Sequence, residues 1–283
     1  MRTGRESILI LGLAAAGLLA GAAVAQAQVV NADVGVNPTY EQTSGGVTST
    51  GGFFSARAFV TSSADYSGGT LTYGGAGSPA TLSYVPGDVG WEFSDSNSDF
   101  PTLQGLYPTG DYVFALSAGS QPATSIGIDY LGGAYSNVPD VTNFAALQGL
   151  NASQSFTVDL NPYIPGSVAT DSFIFFSITD SSGTVVFSPG ALSDTTTSIA
   201  IPAGTLAAGG AYSFDLLFDN RIGGSDYINA YPVTQFYDTH TDGSFTTAGA
   251  VPEPSTWAML LMGFIGFGVM MRRGAPPVRA QAA

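Results

Sequence analysis

Apolar and polar residues alternate with a period of two through most of the middle of the chain. Tyr212, Phe214, Leu216 and Phe218 fall on one side of such a stretch, and Ala211, Ser213, Asp215 and Asp219 on the other. Successive side chains of a strand point to opposite faces, so this pattern predicts a half-buried strand. Phe156, Val158 and Leu160 alternate in the same way with Ser155, Thr157 and Asp159, as do Tyr112, Phe114 and Leu116 with their neighbours. Residues 173–179 and 184–187 flank Asp180-Ser181-Ser182-Gly183, a four-residue turn closing on glycine, and predict a hairpin. Further strands are expected at 53–61, 70–73, 80–85, 125–130 and 196–201. One short helix is expected at 141–148, with Asp140 as N-cap and Gly149 as its stop.

Short strands separated by turn signals predict an all-β fold, an antiparallel β-sandwich of Ig-like or jelly-roll type. A boundary across 132–139 would divide an N-terminal β-rich region, 28–133, from a second sandwich module, 140–247; one larger sandwich is the alternative. Residues 243–250 read as a flexible stalk.

The two ends have a different character. Arg2 and Arg5 precede an apolar run from Ile8 to Ala23 that closes on small residues, the pattern of a secretory signal peptide over 1–27. Cleavage after Ala25 or Ala27 satisfies the small-x-small rule. At the other end, Val251, Pro252, Glu253 and Pro254 lead into an apolar run from Trp257 to Met271, followed by Arg272 and Arg273. A bilayer takes about 20 apolar residues, so this short run spans thinly as a single hydrophobic helix. The two arginines would hold its end in the cytoplasm, with 274–283 as a cytoplasmic tail and the preceding domain outside.

This ordered set of Pro-Glu-Pro, apolar helix and basic pair resembles the PEP-CTERM sorting domain of Gram-negative bacteria. The resemblance implies that an exosortase, an intramembrane cysteine protease, recognises Pro252, Glu253 and Pro254 and cuts near them, releasing or transferring the ectodomain. Members usually end soon after the basic cluster, whereas ten residues follow Arg273 here. The family often accompanies exopolysaccharide production, which implies a place at the cell surface or in an extracellular matrix or biofilm. Residues 140–247 also resemble, loosely, the Ig-like modules found beside this signal, on stretches such as IPAGTLAAGGAYSFDLLFDN.

Charge narrows the partners. Residues 28–251 hold only Arg57 and Arg221 against nineteen acidic residues, a formal net charge of −17, and the whole chain has no lysine. Nucleic acid is excluded as a natural partner. Anionic lipid or polysaccharide would be repelled unless calcium or magnesium bridged the two. Cysteine is absent, so no disulfide staples the fold and no thiol chemistry is available.

His240 is the sole histidine, no Gly-x-Ser-x-Gly elbow or HExxH occurs, and His240 is expected at the surface of an acidic tail. Glu41 and Glu92 are the only glutamates of 28–251, and Glu92 beside Trp91 is the first choice for a sugar-facing cleft, with an exposed acidic loop as the plainer alternative. Asp95, Asn97 and Asp99 recur at the spacing of calcium-loop oxygens, but Phe100 replaces the required glycine and Leu106 the final glutamate, so they form no EF-hand; a looser calcium site is the remaining metal candidate.

These features converge on an exported, non-catalytic protein with a structural or adhesive role in exopolysaccharide. Its partners would be the Sec machinery, the inner membrane in passing, exosortase and exopolysaccharide. A carbohydrate-binding module and a secreted carboxylate-dependent glycoside hydrolase are the alternatives.

Overall fold

The computed structural model describes residues 29–133, 135–249, 259–262 and 264–265. The expected signal peptide with Ala25 and Ala27, the residues Val251 to Pro254, Trp257, Met271, Arg272, Arg273 and the 274–283 tail lie outside the described residues. Met259 to Met262, Phe264 and Ile265 are helical and exposed. Among the described residues no helix is long and apolar enough to cross a membrane.

The first half of the chain contributes β1 (Asn31–Thr43), β2 (Gly46–Phe59), β3 (Tyr66–Thr72), β4 (Ala80–Thr81), β5 (Ser83–Val85) and β6 (Gly90–Asn97). Helix α1 (Phe100–Leu106), β7 (Gly110–Ala118) and β8 (Thr124–Tyr130) follow. The second half contributes α2 (Phe144–Leu147), β9 (Phe156–Asp159), β10 (Asp171–Asp180), β11 (Val185–Phe187) and β12 (Leu192–Ser193). It closes with β13 (Ser198–Ile201), β14 (Ala211–Ser225), β15 (Pro232–Phe236) and β16 (Thr239–Thr246). The alternating stretches fall on β7, β9, β10 and β14, and β10 pairs with β11 across the predicted turn.

Ten strands form one long sheet in the order β11-β10-β14-β15-β1-β2-β6-β5, with β12 on β10 and β16 between β14 and β1. A four-stranded antiparallel sheet, β4-β3-β7-β8, and the pair β13-β9 complete the fold. Val34, Val36, Phe54 and Ala56 of the long sheet pack with Leu71, Tyr112, Phe114, Ile126 and Ile128 of the four-stranded sheet in a first core. Ile174, Phe176, Leu216 and Phe218 pack with Val158, Ile199, Ile201, Phe144 and Leu147 in a second. Leu216 and Phe218 face the second core, while Ile222, an even number of positions along the same strand, lies against the first. Residues separated by even steps share a face, so both cores cover one and the same side of the long sheet.

Three expectations are corrected. The long sheet is mixed, because β1 runs parallel to β15 and β16 while pairing antiparallel with β2. The hairpin β1–β2 leaves one edge of β1 free, and a parallel neighbour needs a long crossover, which the intervening 190-odd residues provide. β1 thus belongs to the 28–133 region by sequence and lies directly against strands of the 140–247 region. The helix is one turn that begins after Asn143, whose side chain makes no cap bond; Asp140 instead accepts a hydrogen bond from the Gln42 side chain. The chain leaves the helix at Gln148, which is already extended, and Gly149 follows at φ +73 with its amide donating to Thr246 O at 2.7 Å. Finally, 243–249 is no free stalk: β16 runs to Thr246, and the Ala248 amide donates to Leu150 O at 2.8 Å.

Candidate functional site

Asp95, Asn97 and Asp99 do not converge on one point. The Tyr107 hydroxyl donates to Asp95 Oδ2 at 2.6 Å, Asn97 Oδ1 accepts from the Asp99 amide at 2.8 Å, and Asp99 accepts from the Thr102 amide at 3.1 Å as the N-cap of α1. Their oxygens close a strand end onto a helix start, and among the described residues no group of three His, Cys, Asp or Glu side chains is placed to hold a metal ion. Trp91 and Glu92 are equally divided. They lie on β6, not in a loop, so alternation sends Trp91 inward beside Tyr84 and Glu92 to the opposite face, across from Arg57.

That opposite face gathers the residues that sequence patterning left scattered. One row across six strands runs Asp171, Arg221, Phe236, Gly35, Ser55, Ser94, and the next runs Gly223, Thr234, Asp33, Arg57, Glu92, Ser83. Residues directly opposite one another share a face, so Arg57 and Arg221, the only arginines of 28–251, stand on the same side of the sheet. Phe53, Phe59, Phe173, Phe175 and Phe236 join them there, half-buried and outside both cores. A Cβ at Gly35 would lie 3.0 Å from Phe236 O and 3.1 Å from Phe236 Cβ, so a side chain there would crowd the neighbouring strand β15.

Each arginine is held twice. Arg57 Nε and Nη2 donate to the two carboxylate oxygens of buried Asp33 at 3.2 and 3.1 Å, and the guanidinium lies 5.2 Å from the Phe59 ring centre. Arg221 Nε donates to Asp219 Oδ2 at 2.8 Å, with its guanidinium 5.2 Å from both the Phe173 and the Phe236 ring. A guanidinium suits this arrangement because its planar fork matches a carboxylate and its flat face stacks on an aromatic ring. Burial raises the Asp33 pKa to about 6 even though the Arg57 charge opposes the rise.

His240 is not at the surface of a tail, as expected, but 5% exposed on β16, with its ring edge against Phe53 at 5.4 Å. Its Nδ1 lies 3.4 Å from Asp215 Oδ1. Burial by itself would lower its pKa, but Asp215, then Asp238 and Asp242, outweigh that and raise it to about 9. His240 is therefore a buried cation at neutral pH. Both arginines and the histidine serve carboxylates of this same chain, so the face is a self-neutralising array of ion pairs under phenylalanine rings. Its one sequence signal was the isolation of Arg57 and Arg221 in an acidic chain.

The class that the chain defines is set by its end. Residues 250–273 match the PEP-CTERM protein-sorting motif. The chain is thus a β-rich protein bearing a C-terminal PEP-CTERM sorting signal, which implies export toward the cell surface and processing by an exosortase. No curated protein matches the chain. Among solved structures, it is similar at 16% identity and a TM-score of 0.21 to a structure titled biofilm associated protein, BSP domain, covering 70% of this chain and 27% of that one. It is also similar at 11% identity and a TM-score of 0.26 to the FN1–FN3 domains of chicken CNTN1, covering 77% and 68%. The chain spans about a quarter of the first of these structures.

Proposed function

We propose that this protein is a non-catalytic component of the cell surface or extracellular matrix. It leaves the cytoplasm by the Sec route, rests in the inner membrane on the apolar run from Trp257 to Met271, and is cut by an exosortase near Pro252, Glu253 and Pro254. The observation that carries this reading is the sorting motif at 250–273. The engagement of Asp33, Asp95, Asp99, Asp215 and Asp219 in a helix cap, hydrogen bonds and ion pairs supports a structural over a catalytic role for them, because general acid–base work needs a carboxyl free to meet substrate.

Intact-mass analysis of protein recovered from the host's surface and medium tests it, comparing the wild type with a variant carrying Pro252→Ala, Glu253→Ala and Pro254→Ala. The expected wild-type mass ends near Pro254, with any excess reporting an attached group, and the variant keeps its tail in the inner membrane. A tail retained in both proteins would make the segment an ordinary anchor and end the exosortase reading.

A further inference from the structure

At the centre of the long sheet two carboxylates face each other. β14 pairs with β15 as far as Arg221 opposite Phe236 and with β16 from Phe218 opposite Thr239. The register is the same on both sides, which sets Asp219 directly opposite Asp238. On the other flank β1 pairs with β15 up to Gly35 and with β16 from Thr39, which brings Asn37 level with Asp238, and Asn37 Oδ1 accepts the Asp238 amide at 2.9 Å. Asp219 is 2% and Asp238 4% exposed. Oδ1 of each is buried without a hydrogen-bond partner.

Two ionised carboxylates facing each other leave those oxygens unpaired, since neither has a hydrogen to give, whereas one proton between them supplies the missing donor. Like charges directly opposite on adjacent strands repel, and burial removes the water that would screen them. The charged surroundings allow for one negative charge and not two. Arg221 on β14 is committed to Asp219, with Asp171 of β10 beside it. His240 on β16 is committed to Asp215, with Asp242 acting on it as well. β1 offers only neutral Asn37, and Tyr163 donates its hydroxyl to Asp219 O and Asn220 Oδ1. We propose that Asp219 and Asp238 share one proton, and that this proton is a latch closing the seam between the two halves of the long sheet. Burial and then the Asp219 charge hold the Asp238 carboxyl well above the usual carboxylate range, in keeping with this.

A folded-state pKa raised above 3.8 gives stability that is complete below that value and lost as pH climbs through the raised pKa. The latch is therefore shut in acid and loosened in alkali. The test is hydrogen exchange across pH 5–10 on the purified chain, beside Asp238→Asn, which keeps a donor to Asp219 without a charge, and His240→Gln. In the wild type, amides of 215–222 and 235–241 should gain about tenfold in exchange per unit of raised pKa, over and above the chemical rate. Amides of β7 and β8 should not. Below pH 6.5, where His240 does not yet titrate, Asp238→Asn should abolish the gain and His240→Gln should keep it. Seam amides that follow the chemical rate alone in the wild type would overturn the latch, a reading that stands even if Asp238→Asn does not fold. So would a gain abolished by His240→Gln and kept by Asp238→Asn. Protection restored at high pH by added calcium in the wild type alone would show a cation site in its place.

Discussion

At the scale of single residues, the chain uses its few special side chains to fix geometry. Asp99 begins α1, with Pro101 in the first turn, where its missing N–H costs nothing. Asp99→Ala should lower stability by about 1 kcal/mol in urea unfolding. Calorimetric titration of the wild type with calcium should show no saturable heat from these oxygens; a stoichiometric site lost in Asp99→Ala would contradict the capping role. The spacing of Asp95, Asn97 and Asp99 was visible in the sequence, and so was the cap signal of aspartate followed by proline. The two patterns compete for the same oxygens, and the backbone amides at the helix start are the partners that folding brings within reach.

At the scale of elements, β1 is the decisive strand, bonded along its length to β2 on one side and to β15 and β16 on the other. Proline inside such a strand removes a ladder donor and is confined to breaks in pairing. Pro38 occupies such a break, between the end of pairing with β15 at Gly35 and its resumption with β16 at Thr39, next to the irregularity at Thr39 and Tyr40. Val34→Pro, in contrast, would strike where Gln235 and Ala56 flank the strand. It should cost about 3 kcal/mol or more and abolish cooperative thermal unfolding, whereas Pro38→Ala should change stability by about 1 kcal/mol or less. Circular dichroism melts of the two variants distinguish these outcomes. Equal effects would mean that β1 is not bonded on both sides. The hydrophobic pattern revealed β7, β10 and β14, each with a clean apolar face. It did not reveal β1, whose outward positions, Asp33, Gly35 and Asn37, are buried in spite of being polar or small.

At the scale of the whole molecule, buried Asp33, Asp238 and His240 lean one way. Asp33, raised to about 6, contributes stability that is complete below 3.8 and lost as pH rises through about 6. His240, raised to about 9, contributes stability that is complete below 6.5 and lost through about 9. Asp180 and Asp226, held below 3.8 mainly by hydrogen bonds to their carboxylates, act in the opposite sense, but only at pH values below 3.8. The net charge of −17 adds repulsion that also grows with pH. Tm should therefore fall by about 10 °C between pH 5 and pH 9.5. Salt should recover only the surface share of that loss, because buried pairs are poorly screened. A melt that is flat, or that rises with pH, would show that the buried groups do not titrate in this sense.

The sequence by itself determined the β-rich class, the strands with one apolar face, the cysteine-free acidic surface and the sorting motif. Each of these depends on local periodicity or on contiguous residues. Only the tertiary structure decided that β1 joins the two halves of the chain, that Trp91 and Glu92 part to opposite faces, and that both arginines and the histidine assemble on one side. It alone decided that Asp219 stands opposite Asp238. Those facts depend on register between strands up to 200 residues apart. Pairing at such separation is set by how two cores fill against one sheet, a property that no local pattern of apolar and polar positions encodes.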